Sequence, residues 1–173
     1  MLKRIVVPLD GTPLGEAVLP HVAELARALG AAVEVVHVVP PTIDRGNKQP
    51  GPRPPPSALL GAPSVLPQYS PSSTVLRYRT DPSEVDATRR YVERVAEWLR
   101  SEGLEATAEV VEGPEVAAAV LKRVGPTDLL ALAAAAKPGG SRVGRLVFGS
   151  LSERLIHDAR TPVLLVRVPH AQG

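Results

Sequence analysis

The sequence predicts an α/β fold in which a five-stranded, doubly wound parallel sheet carries helices on both faces. Three observations lead there. Short apolar runs alternate with stretches of helical spacing along most of the chain. Aromatic residues supply only 3% of the 173 residues against 44% hydrophobic overall, which leaves Val, Leu, Ile and Ala to build the core. Branched aliphatics of that kind suit a parallel sheet covered on both sides. A glycine-rich segment follows the longest apolar run, at the point where such a sheet hands its chain to a loop.

Ile5-Val6-Val7 forms the first strand, ended by Pro8. Asp10-Gly11 signals a turn, Thr12 is placed as an N-cap, and Pro13 takes the first helical position. Leu14, Val18, Val22, Leu25, Ala26 and Leu29 recur at spacings of three and four, which predicts one helix with a single apolar stripe, stopped by Gly30. Ala32 to Val39 is the second strand and completes a βαβ unit, whose crossover is right-handed in nearly all cases.

The composition then shifts. Ten of the nineteen prolines fall between Pro40 and Pro71, among Gly, Ser and Gln. Too few apolar residues are present to offset the entropy of ordering this stretch, so one domain is expected over 1–173 with a Pro-rich insertion at 40–71, looping over a crevice or a dimer surface. Pro52-Arg53-Pro54-Pro55-Pro56 is similar to ligands of aromatic-lined grooves, and a plain spacer is the simpler reading.

Pro82 or Ser83 starts a long helix with Ser83 and Asp86 in its first turn and Tyr91, Val92, Val95, Trp98 and Leu99 as its buried stripe. Arg89, Arg90, Arg94 and Arg100 alternate with Glu93 and Glu97, the pattern of a solvated face rather than a basic binding stripe. After Gly103, Leu104 to Val111 reads as the third strand. Gly113-Pro114 opens a helix with Val116, Val120, Leu121 and Val124, closed by Gly125-Pro126. Asp128 to Ala136, apolar on both faces, is the fourth and central strand. A last helix runs from Ser150 to about Ala159, and Pro162 to Val168 is the fifth strand.

Whole classes of function are disfavoured by what is scarce. The net charge is only +2 and no tract gathers the basic residues, so nucleic acid is not expected as a partner. The chain has no cysteine, which excludes disulfides, thiolate metal sites and cysteine nucleophiles. His21, His37, His157 and His170 lack paired ligand spacing, so no protein-held metal is expected. Leu129 to Ala136 is far shorter than the ~20 apolar residues of a membrane helix. Lys3-Arg4 is followed by only three apolar residues, too few for a secretory signal, and the expected location is the cytoplasm.

The stretch Ala136 to Leu155 reads as strand, glycine loop, helix, an order that builds anion sites. Glycine lets backbone amides crowd a ligand, and a helix start presents unpaired donors and a positive dipole end. A Walker A loop is excluded, because Gly139 and Gly144 are followed by Arg145 and Leu146 instead of Lys and a hydroxyl residue. Ser150 and Glu153 also fit a capping box, in which case the glycines only turn the chain.

Gly139, nine residues, then Gly149-Ser150, Leu151-Ser152-Glu153-Arg154 and the closing Thr161-Pro162-Val163-Leu164-Leu165-Val166 resemble the C-terminal signature of the universal stress protein family. Ile5-Val6-Val7-Pro8-Leu9-Asp10 and Val36-His37-Val38 extend the resemblance to the N-terminal part. It implies an adenine-nucleotide-hydrolase-like fold with ATP as ligand and Mg²⁺ held by the phosphates. By the same resemblance, Pro8, Leu9, Asp10 and Val38 lie beside base and ribose, Ala136 and Gly139 wrap ribose and phosphates, and Gly149, Ser150, Leu151 and Ser152 meet the phosphates. Ala136 stands where nucleotide-binding members carry the first glycine of their motif, and Pro138 removes an N–H from the loop. An added Cβ at a crowded or positive-φ position costs on the order of 1 kcal/mol.

With a strand order of 3-2-1-4-5, the winding reverses between strands 1 and 4, and their carboxyl ends bring Pro8–Asp10 and 136–140 to one crevice. In the role the resemblance implies, the Asp10 carboxylate accepts from a ligand donor, whereas Asp10-Gly11 on its own reads first as a turn. No general base or phosphate-loop lysine accompanies it, so a non-enzymatic regulatory protein of stress response is expected. The other expectation is a relative that binds no nucleotide and acts through dimerisation and protein interaction. The apolar fifth strand, as a sheet edge, implies a homodimer in both cases.

Overall fold

Three consecutive residues of the first strand, Ile5, Val6 and Val7, are fully buried. Their side chains alternate between two faces, so both faces of this strand must be covered. The computed structural model describes residues 1–44, 77–136 and 150–169. Chain contacts divide the protein into two units, Met1–Pro41 with Thr80–Gly173, and Thr42–Arg79.

The first unit holds β1 (Arg4–Pro8), α1 (Pro13–Glu16), α2 (Leu19–Leu29) and β2 (Ala32–Val39). In the second unit, β3 (Thr42–Asp44) and β4 (Arg77–Arg79) pair antiparallel. The first unit resumes with α3 (Pro82–Ser101), β5 (Ala106–Glu112), α4 (Val116–Leu121), β6 (Asp128–Ala136), α5 (Ser150–Asp158) and β7 (Val163–Pro169). Its sheet is parallel throughout, in the order β5-β2-β1-β6-β7. This is the order 3-2-1-4-5 of the expected strands, with β1 in the middle.

Two cores result. Ile5, Val7, Val33 and Val35 pack with α2 and α3 on one face, while Val6, Val36, Leu130 and Leu132 pack with α4 and α5 on the other. On α3, Val92, Val95, Ala96 and Leu99 form a buried stripe at spacings of three and four.

Several local expectations need correction. The helix expected to run unbroken to Gly30 is two helices, α1 and α2. Pro20, in the first turn of α2, has no N–H to continue the ladder from Glu16, so the chain restarts there. Leu14, assigned to the stripe, is exposed. Helix α3 starts at Pro82, one of the two expected positions, and its N-cap is Asp81, whose carboxylate accepts from the Ser83 amide at 2.9 Å. Trp98 is 39% exposed, since it flanks the α3 stripe instead of belonging to it. Helix α4 stops at Leu121, and Val124 reaches its core from the following turn. Most of the Pro-rich stretch at 40–71, including its expected placement over a crevice or dimer surface, lies outside the described residues.

At the amino ends of the three central strands sits a charged network that the sequence did not announce. Glu34 on β2 and Asp128 on β6 are 2% and 4% exposed. Arg4 on β1 donates to both carboxylates and, at 2.8 Å, to the Arg123 carbonyl. Arg123 closes the network by donating from Nε to Glu34 at 2.6 Å, and the Gly125 amide donates to Asp128 at 2.7 Å. Each buried carboxylate thereby has charge-assisted donors, without which its burial would be prohibitive. Burial pulls the Asp128 carboxyl upward, but hydrogen bonds from Arg4 and Gly125 and the Arg4 charge outweigh it and hold the pKa below its ordinary 3.8.

Arg4→Met is expected to lower the unfolding free energy by about 3 kcal/mol, the low end for breaking a buried pair because Arg4 itself is partly solvated. Urea denaturation measures it. A carboxyl with a depressed folded-state pKa contributes its stability above the unfolded value and loses it as pH falls through the folded one. Unaltered protein is therefore expected to lose the Asp128 contribution only as pH drops below 3.8, and Arg4→Met to show a shallower acid loss.

Candidate functional site

The ladder between β1 and β6 stops early. Their register runs Arg4↔Asp128, Ile5↔Leu129 and Val6↔Leu130 and goes no further. Meanwhile β1 follows β2 as far as Pro8↔Val36, and β6 follows β7 as far as Ala136↔Pro169. The two central strands part at their carboxyl ends, and a cavity of about 430 Å³ opens between them. That volume falls in the range of roughly 300–1,000 Å³ usual for small-molecule sites.

One wall is the end of β1, with Pro8, Leu9 and Asp10, continued by Leu14 and Gly15 of α1. A second is Val36, His37 and Val38 of β2. The third is Leu132 to Ala135 of β6, and the helical side is Val116 and Val120 of α4 with Leu151, Ser152 and Leu155 of α5. Most of this surface is aliphatic, so the few polar groups decide orientation.

Asp10 holds the turn and keeps one oxygen in reserve. Its Oδ1 accepts from the Thr12 amide at 3.0 Å and the Thr12 hydroxyl at 2.6 Å, and Thr12 Oγ1 in turn caps α1 by accepting from the Gly15 amide at 3.1 Å. Oδ2 has no partner among the described residues. Gly11 turns the chain at φ +78°, a left-handed value that favours glycine. Asp10 thus serves as a turn residue and as a cavity-lining acceptor.

Behind the β2 wall, the His37 ring meets Tyr91 of α3 edge to face, with centroids 6.2 Å apart. His37 Nδ1 and the Tyr91 hydroxyl are both buried without a hydrogen-bond partner. Burial pushes the Tyr91 phenol up, and the nearby Glu16 carboxylate, as a weak hydrogen-bond acceptor and as a charge, and then the Asp10 charge add to it against a smaller opposing effect of the Gly11 backbone. Burial depresses the His37 pKa against the opposing pull of Asp10 and Glu84.

A second hollow of about 400 Å³ lies between Glu16, Leu19, Pro20 and the α3 residues Tyr91, Arg94, Val95 and Trp98. It faces outward and collects none of the residues singled out by the glycine-loop reading. Among the described residues, no group of three or more His, Asp or Glu is placed to hold a metal ion, and no helix is long and apolar enough to cross a membrane.

Of the residues named from the sequence, Pro8, Leu9, Asp10, Val38, Leu151 and Ser152 line the one cavity. Ala136 ends β6 and Ser150 begins α5. Gly139 and Gly149 lie outside the described residues, as does Pro138. Sequence reasoning missed His37, Gly15 and the alanine row of β6. A glycine inside a helical pattern was the only available signal for Gly15.

The sequence matches the family described as "Universal stress protein family" over residues 1–167. The chain belongs to the universal stress protein family. A universal stress protein of Methanocaldococcus jannaschii is 24% identical over 170 residues, covering 98% of this chain and 84% of the relative. Among solved structures, the universal stress protein from Archaeoglobus fulgidus in complex with dAMP superposes with a TM-score of 0.57 at 17% identity, covering 96% of this chain and 98% of that one. A universal stress protein family protein from Arabidopsis thaliana with AMP bound gives 0.52 at 11% identity, covering 95% and 91%. At these identities the structural likeness establishes the fold, and the fold agrees with the sheet order described above.

Two substitutions probe the cavity wall. An added Cβ at Gly15 would meet Asp10 Oδ1 at 2.8 Å. Gly15→Ala is therefore expected to displace that carboxylate from Thr12, seen as faster amide exchange at Thr12 and a loss of about 1 kcal/mol of stability. Tyr91→Phe removes a buried hydroxyl that lies near Glu16 and Gly11 without a well-formed hydrogen bond to either, and is expected to change thermal stability by no more than about 1 kcal/mol, read from the melting transition.

Proposed function

We propose that this universal stress protein is an ATP-type nucleotide-binding regulatory protein of stress response, non-catalytic and homodimeric, acting in the cytoplasm. The observation that carries the reading is the parting of β1 and β6, which leaves a cavity of nucleoside size walled by aliphatic side chains and overlooked by one unengaged carboxylate oxygen of Asp10. Family members of the same fold hold dAMP and AMP. Apolar walls from Val38, Leu132 and Val120 suit a base, Asp10 suits a sugar or base donor, and the start of α5 with Ser150 and Ser152 suits phosphate. By the family motif, Ala136, Gly139 and Gly149 accompany the phosphates. Mg²⁺, carried on those phosphates, would neutralise their charge.

The reading assigns no catalytic residue. Occupancy of the crevice acts by favouring one conformation over another, which requires only different affinities in the two. Dimerisation is assigned to β7, an edge strand whose Val163, Leu164, Leu165 and Val166 are only partly buried. The opposite edge, β5, alternates in polar residues such as Thr107 and Glu109 that deter pairing. Ala136, standing in place of the motif's first glycine, favours the second reading, a member that binds no nucleotide and works through dimerisation and protein interaction.

Denaturing the purified protein is expected to release adenine nucleotide, and calorimetric titration with ATP to show uptake that Asp10→Ala weakens roughly tenfold, the scale of one charge-assisted hydrogen bond. Gly149→Val serves as the motif control. Neither release nor heat would leave the interaction reading in place. Many turnovers of ATP per second would overturn the non-catalytic assignment.

A further inference from the structure

Gly15 is an unexpected residue for its place. It stands inside α1, where glycine costs helix stability relative to alanine, and its backbone is outside the left-handed region that Gly11, Gly30 and Gly103 occupy. The backbone does not call for glycine here; the surroundings do. A Cβ built at Gly15 would lie 2.8 Å from Asp10 Oδ1, 3.5 Å from Thr12 Oγ1 and 3.7 Å from Asp10 Cγ. The last two are ordinary contacts, but the first is too short to persist, so an alanine would force the carboxylate to move.

That carboxylate cannot move without loss. Its Oδ1 accepts from the Thr12 amide at 3.0 Å and the Thr12 hydroxyl at 2.6 Å, while Thr12 Oγ1 accepts from the Gly15 amide at 3.1 Å. The three residues close a circuit: the acid holds Thr12, Thr12 holds the Gly15 amide, and the bare Gly15 Cα leaves room for the acid. Asp10 and Gly15 line the crevice, whereas Thr12 is not part of its lining. An acid held on three sides has its direction set before any ligand arrives, which spares the ligand the entropy of ordering it.

We infer that Gly15 is a positioning residue of the crevice: by carrying no side chain it seats the Asp10 carboxylate against Thr12, in the orientation that accepts from a hydroxyl or N–H of the nucleoside moiety. This deepens the nucleotide-binding reading and rests on it. Gly15 offers the ligand no polar side chain, and its effect passes through Asp10. A displaced carboxylate meets the donor at a poorer length and angle, and a charge-assisted hydrogen bond weakens with both. The seated acid favours ligands that bring a donor to it and penalises those that bring an acceptor.

The test is a double-mutant cycle on the full chain, with AMP titrated calorimetrically. Asp10→Ala is expected to weaken AMP binding roughly tenfold, Gly15→Ala by most of that factor, and the double variant no further than Asp10→Ala alone. A methyl that merely filled the crevice would act independently of the acid, so multiplication of the two losses would overturn the inference. Melting supplies a second reading of the same coupling. Gly15→Ala is expected to lower the melting temperature when Asp10 is present and to raise it in the Asp10→Ala background, where the close contact is gone and the helix preference of alanine remains. A fall in both backgrounds would overturn the inference. Thr12→Val, outside the lining, is expected to weaken AMP binding severalfold only when Asp10 is present, and Thr12→Ser to retain it. Unchanged AMP affinity in Gly15→Ala or in Asp10→Ala would also overturn the inference while leaving the nucleotide reading in place. Failure of the unaltered chain to take up AMP would overturn that reading and this inference with it.

Discussion

The Arg4 guanidinium is the constraint on which the rest of the architecture depends. One side chain on the central strand grips a carboxylate on each neighbouring strand, Glu34 on β2 and Asp128 on β6, and so fixes the register of all three at their amino ends. In a parallel sheet a slip by one residue turns every side chain to the wrong face, and apolar runs such as 129–136 carry no alternation to forbid it. Aliphatic packing would tolerate several registers. Two buried acids with one shared cation tolerate a single one, because any other leaves a charge without its partner.

Pinning the amino ends frees the carboxyl ends. Beyond Val6 and Leu130, β1 leans toward β2 and β6 toward β7, and the space between them is lined by whatever those strands carry next. The ion network and the cavity are thus opposite ends of the same three strands. Chemistry is divided accordingly, with formal charges satisfied internally at one end and polar atoms left unengaged at the other. Asp10 shows the division within one residue, since Oδ1 is committed to Thr12 and Oδ2 is not.

Much of this was legible before any coordinates. Strand order, the reversal between β1 and β6, and the place of Pro8, Leu9 and Asp10 beside that reversal follow from the spacing of apolar runs and the family signature. The split of the first helix at Pro20 was written in the sequence as well, but continuous apolar spacing across it argued for one helix and outweighed the proline. Trp98 was placed in the core because its spacing fitted within one turn, and a difference of that size separates a buried stripe from its flank. The Arg4 network was invisible for a different reason. Its members lie far apart in the chain, and nothing in an isolated Glu34 inside an apolar strand says that Arg4 and Arg123 will reach it. His37 was hidden by its setting, since a lone histidine between valines reads as ordinary strand.

The row Leu132-Ala133-Ala134-Ala135 on β6 has a consequence of its own. Three of these four side chains end at a single carbon, so the depth of the hollow depends on atoms that are missing rather than on atoms that are placed. Substituting one methyl by a longer branch would shorten the hollow without touching the guanidinium clasp at the far end. Descendants of this chain can therefore rescale what they admit by single changes on one strand while inheriting the scaffold intact.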